Sequence, residues 1–332
     1  MGGSERGKRG SRRGRNPRWK GTLEFFRAAR ATPDFSLFDL VHGYVYGRWP
    51  YLYIGIGVGE HPWAKWVSPI LRVLSRLIPH HENNAAETGT VADVYHGKVM
   101  PTASARRLVT VNTPLEITDL EQVIPFQRAR ALILEQPDHI VALECPCRSA
   151  RAEPCLPLDV CLIVGEPFAS FVVGHHPDRS RWISQGEAVA TLEAERDRGH
   201  VHHAFFKDAM LGRFYAICNC CPCCCGAMQA MRNGSPMLIS SGYVSQVDDD
   251  LCALCETCVD ACPFDALSMA GGRILINQEI CMGCGICVSH CPEAALSLVI
   301  DPSKPAPLEI TSGDGRLSSD PILVNRGSGV AL

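Results

Sequence analysis

The chain has no long apolar run. Its most apolar early segment, YLYIGIGVG at 51 to 59, is nine residues long and flanked by Arg48 and Glu60, whereas a helix needs about 20 apolar residues to cross a bilayer. No transmembrane helix is expected. No export signal is expected either: Arg12-Arg13 has the doubled arginine of one class, but Glu24, Arg27 and Arg30 interrupt the stretch that follows and leave no apolar core. Nucleotide motifs are missing, because Gly55, Gly57 and Gly59 do not have the dinucleotide-binding spacing and no P-loop is present. No Ser-His-Asp arrangement is readable either. These absences remove the usual signs of a membrane-spanning, exported, nucleotide-binding or triad-hydrolase protein, and the catalytic residues, if any, stay unknown.

Cysteine is what the chain has in abundance. Eighteen in 332 residues need a disulfide, metal or redox explanation, and their spacings decide which. Those spacings favour metal, and hence a reducing, cytoplasmic setting. The length suits about two domains, and 46% hydrophobic content is ordinary for a chain that buries a core.

The formal charge of −3 hides an asymmetry. Residues 1 to 30 hold ten Lys and Arg against two acids, so the remainder is strongly acidic. Residues 1 to 34 are expected to form a disordered basic arm, with contact to nucleic acid or a membrane surface open but not favoured. Beyond it, VSPILRVLSRLI places Val67, Ile70, Leu71, Leu74, Leu77 and Ile78 at helical spacing with Arg72, Ser75 and Arg76 opposite, an amphipathic helix expected to dock on the protein's own core. A polar loop is expected at His80 to Asn84. A helix follows around LEQVIPFQRARALILEQ, then a strand in HIVALECPCR that enters a cysteine loop, and two more strands in DVCLIVGE and ASFVVGHH. Ser184 and Glu187 have the capping-box spacing for a helix to about Arg198, with Gly199 as its stop. VHHAFF and RFYAIC read as strands. This alternation predicts an α/β arrangement over residues 35–240. From Asp301 the density of Pro, Gly and Ser predicts a flexible tail over 301–332.

Between them lies a repeat. Cys252, Cys255, Cys258 and Cys262 recur 29 residues later as Cys281, Cys284, Cys287 and Cys291, and Pro263, Ala266, Leu267 and Ser268 recur as Pro292, Ala295, Leu296 and Ser297. Each half has the form C-x2-C-x2-C-x3-C-P, the spacing in which three cysteines wrap one iron–sulfur cube and the fourth ligates the other. One cluster would therefore take Cys252, Cys255, Cys258 and Cys291, and the second Cys281, Cys284, Cys287 and Cys262. Gly283 and Gly285 let backbone approach the second site, where the first half has Leu254 and Glu256. SMAGGRILI reads as a hairpin across the pair.

Residues 244–299 resemble the bacterial-type ferredoxins with two [4Fe–4S] clusters. The resemblance implies two four-iron clusters, single-electron transfer and a redox partner protein. The fold class expected is α+β, with a ferredoxin-like domain over 241–300 placed C-terminal to the α/β cysteine-rich domain. An ECPCR segment followed by ICNCC, upstream of such a repeat, is also similar to a group of anaerobe-associated ferredoxin-domain proteins of poorly defined role, and that likeness implies no mechanism.

Ten cysteines lie outside the repeat. Residues two apart on an extended chain point to one face, so Cys145 with Cys147, and Cys218 with Cys220, are same-face pairs. They can converge on a third iron–sulfur cluster or a zinc ion; the rival is a local set of Cys145, Cys147, Cys155 and Cys161. Cys221 completes the candidate third site. The same parity bars all six cysteines of 218–225 from one ion unless Pro222 turns the chain sharply. His200 and His202, near His175, His176 and His203, are candidates for metal or proton chemistry, and Arg148 can offset thiolate charge or be an ordinary loop residue. The leading reading is an electron carrier or electron-transfer subunit of an oxidoreductase system, with enzymatic activity of its own left open. The rivals are a reductase with its catalytic centre among the upstream cysteines, and a redox or metal sensor.

Overall fold

Residues 18–33, 35–66, 95–125 and 131–310 are described in this computed structural model. The first part is helical: α1 (Arg18–Ala31), α2 (Leu37–Arg48) and α3 (Pro50–Gly57). Ser36 starts α2 by accepting the Asp39 N–H, while the Asp39 carboxylate accepts from the Ser36 N–H, so two end donors are satisfied together. Pro50 opens α3, where its missing N–H costs nothing.

The expected arm is therefore shorter than 1–34. Residues 18–31 are helical because Phe25 and Ala29 are buried and the Phe25 ring packs 5.4 Å from Phe171. Residues 1–17, the amphipathic helix at 67–78, the loop at 80–84 and residues 311–332 lie outside the described residues.

Next come β1 (Tyr95–Met100), α4 (Thr102–Val109), β2 (Leu115–Ile117), β3 (Leu132–Leu134), β4 (Ile140–Leu143), α5 (Pro146–Ser149), β5 (Cys161–Val164), α6 (Phe168–His175), β6 (Ser180–Ile183), α7 (Gln185–Asp197), β7 (Val201–Lys207), β8 (Arg213–Cys220), α8 (Gly226–Arg232) and β9 (Leu238–Ile239). Seven strands form one sheet in the order β6-β4-β5-β8-β7-β1-β9. It is buried on both faces. Val141, Leu143, Ile163 and Phe205 point to the side of α1 and α6, and Ile140, Ala142, Leu162 and Phe206 to the side of α4 and α7. Strands covered on both faces read as unbroken apolar runs, which is why IVAL and CLIV show no alternation.

The pairings are antiparallel except β1 with β9, a topology that the alternation of elements did not disclose; the turn from Asp208 to Gly212 is too short for the crossover that parallel neighbours require. Two expectations are corrected here. ASFVVGHH is a helix, α6. Gly165 ends β5 in the left-handed region, and the Glu166 carboxylate accepts from both the N–H and hydroxyl of Ser170. Buried on almost every side, α6 has no polar face to reveal its period. Of the helix expected across 120–136, residues 121–124 are instead a turn and 132–134 are strand β3, with Pro125 unable to continue a helix, and residues 126–130 lie outside the described residues.

The repeat folds as β10 (Tyr243–Val247), α9 (Thr257–Asp260), β11 (Leu267–Ala270), β12 (Arg273–Ile276), α10 (Ile286–His290) and β13 (Leu296–Ile300). β10 pairs with β13, and β11 with β12 across Gly271-Gly272, the expected hairpin. Residues 301–310 are not a free tail. Leu308 and Ile310 are buried, the buried Lys98 Nζ donates to Ala306 O at 2.8 Å and Val123 O at 3.1 Å, and Glu309 accepts from Ser104 and Tyr243 hydroxyls. This segment belts the repeat to the large sheet, because its two apolar side chains find a core to enter.

Candidate metal centres

The local backbone of each half aims three thiols inward. Leu254 and Glu256 in the first half, and Gly283 and Gly285 in the second, all have positive φ, so the chain curls before α9 and α10 and presents Cys258 and Cys287 from their first turns. Cys252, Cys255, Cys258 and Cys291 line one pocket with Val247, Ile274 and Leu296. Cys262, Cys281, Cys284 and Cys287 line another with Phe264, Leu267 and Leu298.

Donors face the sulfurs. Ala266 N–H donates to Cys262 Sγ and Ala295 N–H to Cys291 Sγ, both at 3.3 Å, from equivalent places in the repeat. Thr257 Oγ1 donates to Cys255 Sγ at 3.4 Å. Ser245 serves the second set twice, its N–H donating to Cys281 Sγ at 3.4 Å and its hydroxyl lying 3.3 Å from Cys287 Sγ. Burial pushes the Cys287 thiol up to about 12 and Cys284 well up. Thiols that are hard to ionise alone, crowded in an apolar pocket with donors aimed at sulfur, suit a cluster whose positive iron deprotonates its ligands outright.

The ten upstream cysteines divide. Cys145, Cys147, Cys161, Cys218, Cys220 and Cys225, together with Cys221 at one wall, line a cavity of about 80 Å³ at the ends of β4, β5 and β8. Cys161 sits opposite Cys218 in register. Cys145 and Cys218 flank Cys161 and push its thiol well up, while the Cys147 thiol and burial push Cys145 up to about 12. Beyond Cys147 come Cys225 and then Cys220, so the thiols form a chain. Cys155, Cys223 and Cys224 do not join it. They gather with Cys221 instead, the four Sγ atoms lying within 4.8 Å of one another. Pro222 is the cause, since residues 222–224 form a turn that swings these thiols away from the face used by Cys218 and Cys220.

Arg148 is fully buried, not a solvated loop residue. It donates to Glu195, to Pro157 O at 2.6 Å and to Asn219 O at 3.0 Å, holding the cysteine loop to β8. The histidines are engaged elsewhere: His200 with Glu195 at 2.7 Å, His202 with Asn219 at 2.6 Å and Thr102 at 3.1 Å, His175 with Thr22 and His176 with Gly47 O. Burial holds His202 down to about 4 and His203 to about 3. No histidine joins a metal-spaced group among the described residues.

Sequence reasoning missed the wall opposite the buried thiols. Tyr46, Tyr95 and Tyr215 line the same cavity, Tyr46 and Tyr215 share a hydrogen bond of 2.8 Å, and burial pushes all three phenols up. Lys207 lies over the Tyr46 and Tyr95 rings at 4.8 Å; burial pulls it down to about 8. These residues lie far apart in sequence and carry no shared motif.

No described helix is long and apolar enough to cross a membrane. No curated protein matches the chain. Residues 245–292 match the family described as a 4Fe-4S dicluster domain, within the 244–299 stretch that resembles two-cluster ferredoxins, so the C-terminal part of this chain carries a 4Fe-4S dicluster domain.

Proposed function

We propose that the protein is an iron–sulfur electron-transfer protein holding two [4Fe–4S] clusters, one on Cys252, Cys255, Cys258 and Cys291 and the other on Cys262, Cys281, Cys284 and Cys287. When bound, each cube takes up and returns one electron. The observation that carries the reading is the unequal exposure of the two four-thiol pockets. In the first, Cys255 is exposed, Cys252 and Cys291 are half-buried and Cys258 is buried; in the second, Cys281, Cys284 and Cys287 are buried and Cys262 is half-buried. Met282, Cys284 and Ile286 belong to the same apolar core as Cys145, Cys161, Cys220 and Cys225. The first set thus faces a redox partner protein, and the second backs onto the upstream thiols.

A second reading makes the protein a reductase whose catalytic centre is a third iron–sulfur cluster in the upstream cavity. It is favoured by the seven cysteines and three tyrosines that line that cavity, since thiolates can hold iron and buried phenols with raised pKa values can keep protons ready to donate.

Anaerobic purification with iron and sulfide counting, followed by EPR of the reduced protein, tests both. The expected result is about eight irons per chain from two cubes, with Cys252→Ser and Cys284→Ser each removing a different one of two interacting signals. About four irons or fewer would overturn the two-cluster reading. A count near twelve, falling by about four in Cys145→Ser/Cys147→Ser with both dicluster signals intact, would establish the upstream centre.

A further inference from the structure

Cys155, Cys221, Cys223 and Cys224 belong to neither dicluster pocket. They come from two stretches of chain, the loop after α5 and the turn after β8, and all four Sγ atoms fall within 4.8 Å of one another. Cys155 Sγ is 3.0 Å from Cys223 Sγ, which is 3.7 Å from Cys224 Sγ. Spacing of this kind sets nuclearity. A single zinc ion with Zn–S bonds of about 2.3 Å places its four sulfurs about 3.8 Å apart. A four-iron cube holds its ligand sulfurs outside the corners of an iron–sulfide box and needs a wider cage. Among the described residues no other group of three or more Cys, His, Asp or Glu closes to 4.8 Å, the two dicluster sets included.

The turn is braced in this shape from outside. Arg232 Nη1 donates to Pro222 O at 3.3 Å, Gln229 Nε2 to Cys223 O at 2.8 Å, and Arg151 Nη2 to Cys224 O at 3.2 Å. Cys225 N–H closes the turn on Cys221 O at 3.1 Å. Four thiolates around a divalent cation leave two negative charges. Arg148 faces Cys221, and Arg151 and Arg232 stand at the turn, each of the three also paired with a carboxylate, Glu195, Glu60 and Asp265 in turn, so the site sits among cations without a full countercharge.

We propose that Cys155, Cys221, Cys223 and Cys224 hold a single zinc ion that clasps the loop around Cys155 to the turn after β8. Zinc suits the tetrahedral set and stands above ferrous iron in the divalent affinity order. It has no redox chemistry, so the site is a clasp and not a further step in the relay. Cys221 also lines the buried thiol cavity, so the clasp closes one wall of that cavity.

Metal counting on the full chain, purified anaerobically with zinc supplied, tests this. A single zinc per chain is expected beside the iron, with Cys155→Ser and Cys223→Ser each losing the zinc while iron and sulfide stay at wild-type levels and certify the fold. Should either variant fail to fold, wild-type protein stripped of zinc by a chelator and reloaded with Co2+ is expected to show the visible absorption of tetrahedral cobalt thiolate. Iron at this site, zinc retained in both variants, a Cys155–Cys223 disulfide found by peptide mapping, or no metal beyond the dicluster iron would each overturn the proposal. Because zinc and iron are counted separately, its failure would leave the two-cluster reading standing.

Discussion

The two halves of the cysteine repeat follow one backbone path with different residues. Leu254 and Gly283, Glu256 and Gly285, and Asp265 and Ala294 are equivalent pairs, and all six residues have positive φ. A glycine adopts that region freely, whereas other residues accept about 1 to 2 kcal/mol of strain there. The difference lies in what surrounds each half. A Cβ on Gly283 would stand 2.1 Å from Tyr243 O and 2.3 Å from Ser241 Oγ, because the second half is pressed against the chain that leads in from the large sheet. Leu254 is 42% exposed, so its side chain has room. Glycine at 283 therefore answers a close approach, and the curl of the ligand loop alone does not require it.

The strongest way to break this comparison is to exchange the residue types. Gly283→Ala sets a methyl group against a backbone carbonyl that cannot rotate away, and it is expected to destabilise by roughly 2 to 5 kcal/mol from overpacking and backbone strain together. Iron held by the second set should be lost first. Leu254→Gly relieves left-handed strain but loosens the unfolded chain, and it should stay within about 1 kcal/mol of wild type. Anaerobic denaturant unfolding with iron counting measures both. Equal effects would mean that the two halves do not differ in the way described.

What the sequence could and could not reveal follows the same division between local and distant causes. The repeated cysteine spacing, the Gly271-Gly272 hairpin and the Ser184 cap were readable because each is set by residues within a turn or two of one another; Ser184 does accept the Glu187 N–H at the start of α7. The absence of glycine at 254 and 256 was readable too, but its meaning was not, since the contact that makes Gly283 necessary comes from residues 241–243. Helix α6 was hidden by its own burial. The belt at 305–310 was hidden by Pro-rich composition, and its anchor, Lys98, lies some two hundred residues earlier. Among the upstream cysteines, strand parity separated faces but could not foresee that the Pro222 turn would send Cys221, Cys223 and Cys224 toward Cys155.

A smaller effect sharpens the contrast at the sulfurs. Ser245 and Ile274 occupy equivalent places seven residues before Cys252 and Cys281, and they line opposite pockets, Ser245 the second and Ile274 the first. The second set thus receives a hydroxyl where the first has a methyl-rich wall. A donor to sulfur favours the more negative, reduced form, so Ser245→Ala should lower the potential of the centre on the second set by tens of millivolts, the equivalent of about 1 kcal/mol for one electron. The first centre should not move. Redox titration followed by EPR reads the two separately, and a shift shared equally by both would show that Ser245 acts through the fold and not on one pocket.

The smallest effect concerns the outer face. Asp249, Asp250, Glu256, Asp260 and Glu293 are exposed, and Glu256 and Glu293 line the pocket of the first set, so this rim presents negative charge where the second set presents buried core. A cationic small-molecule oxidant should meet the reduced protein faster than a neutral one of similar potential, with an advantage that fades as salt rises. Glu256→Gln and Glu293→Gln should each cut that advantage about twofold, the scale of a single screened charge in water. Stopped-flow oxidation at several ionic strengths gives the slope. If neither substitution flattens it, electrons leave by a face other than the one the first set exposes, and the direction assigned to the relay would have to be reversed.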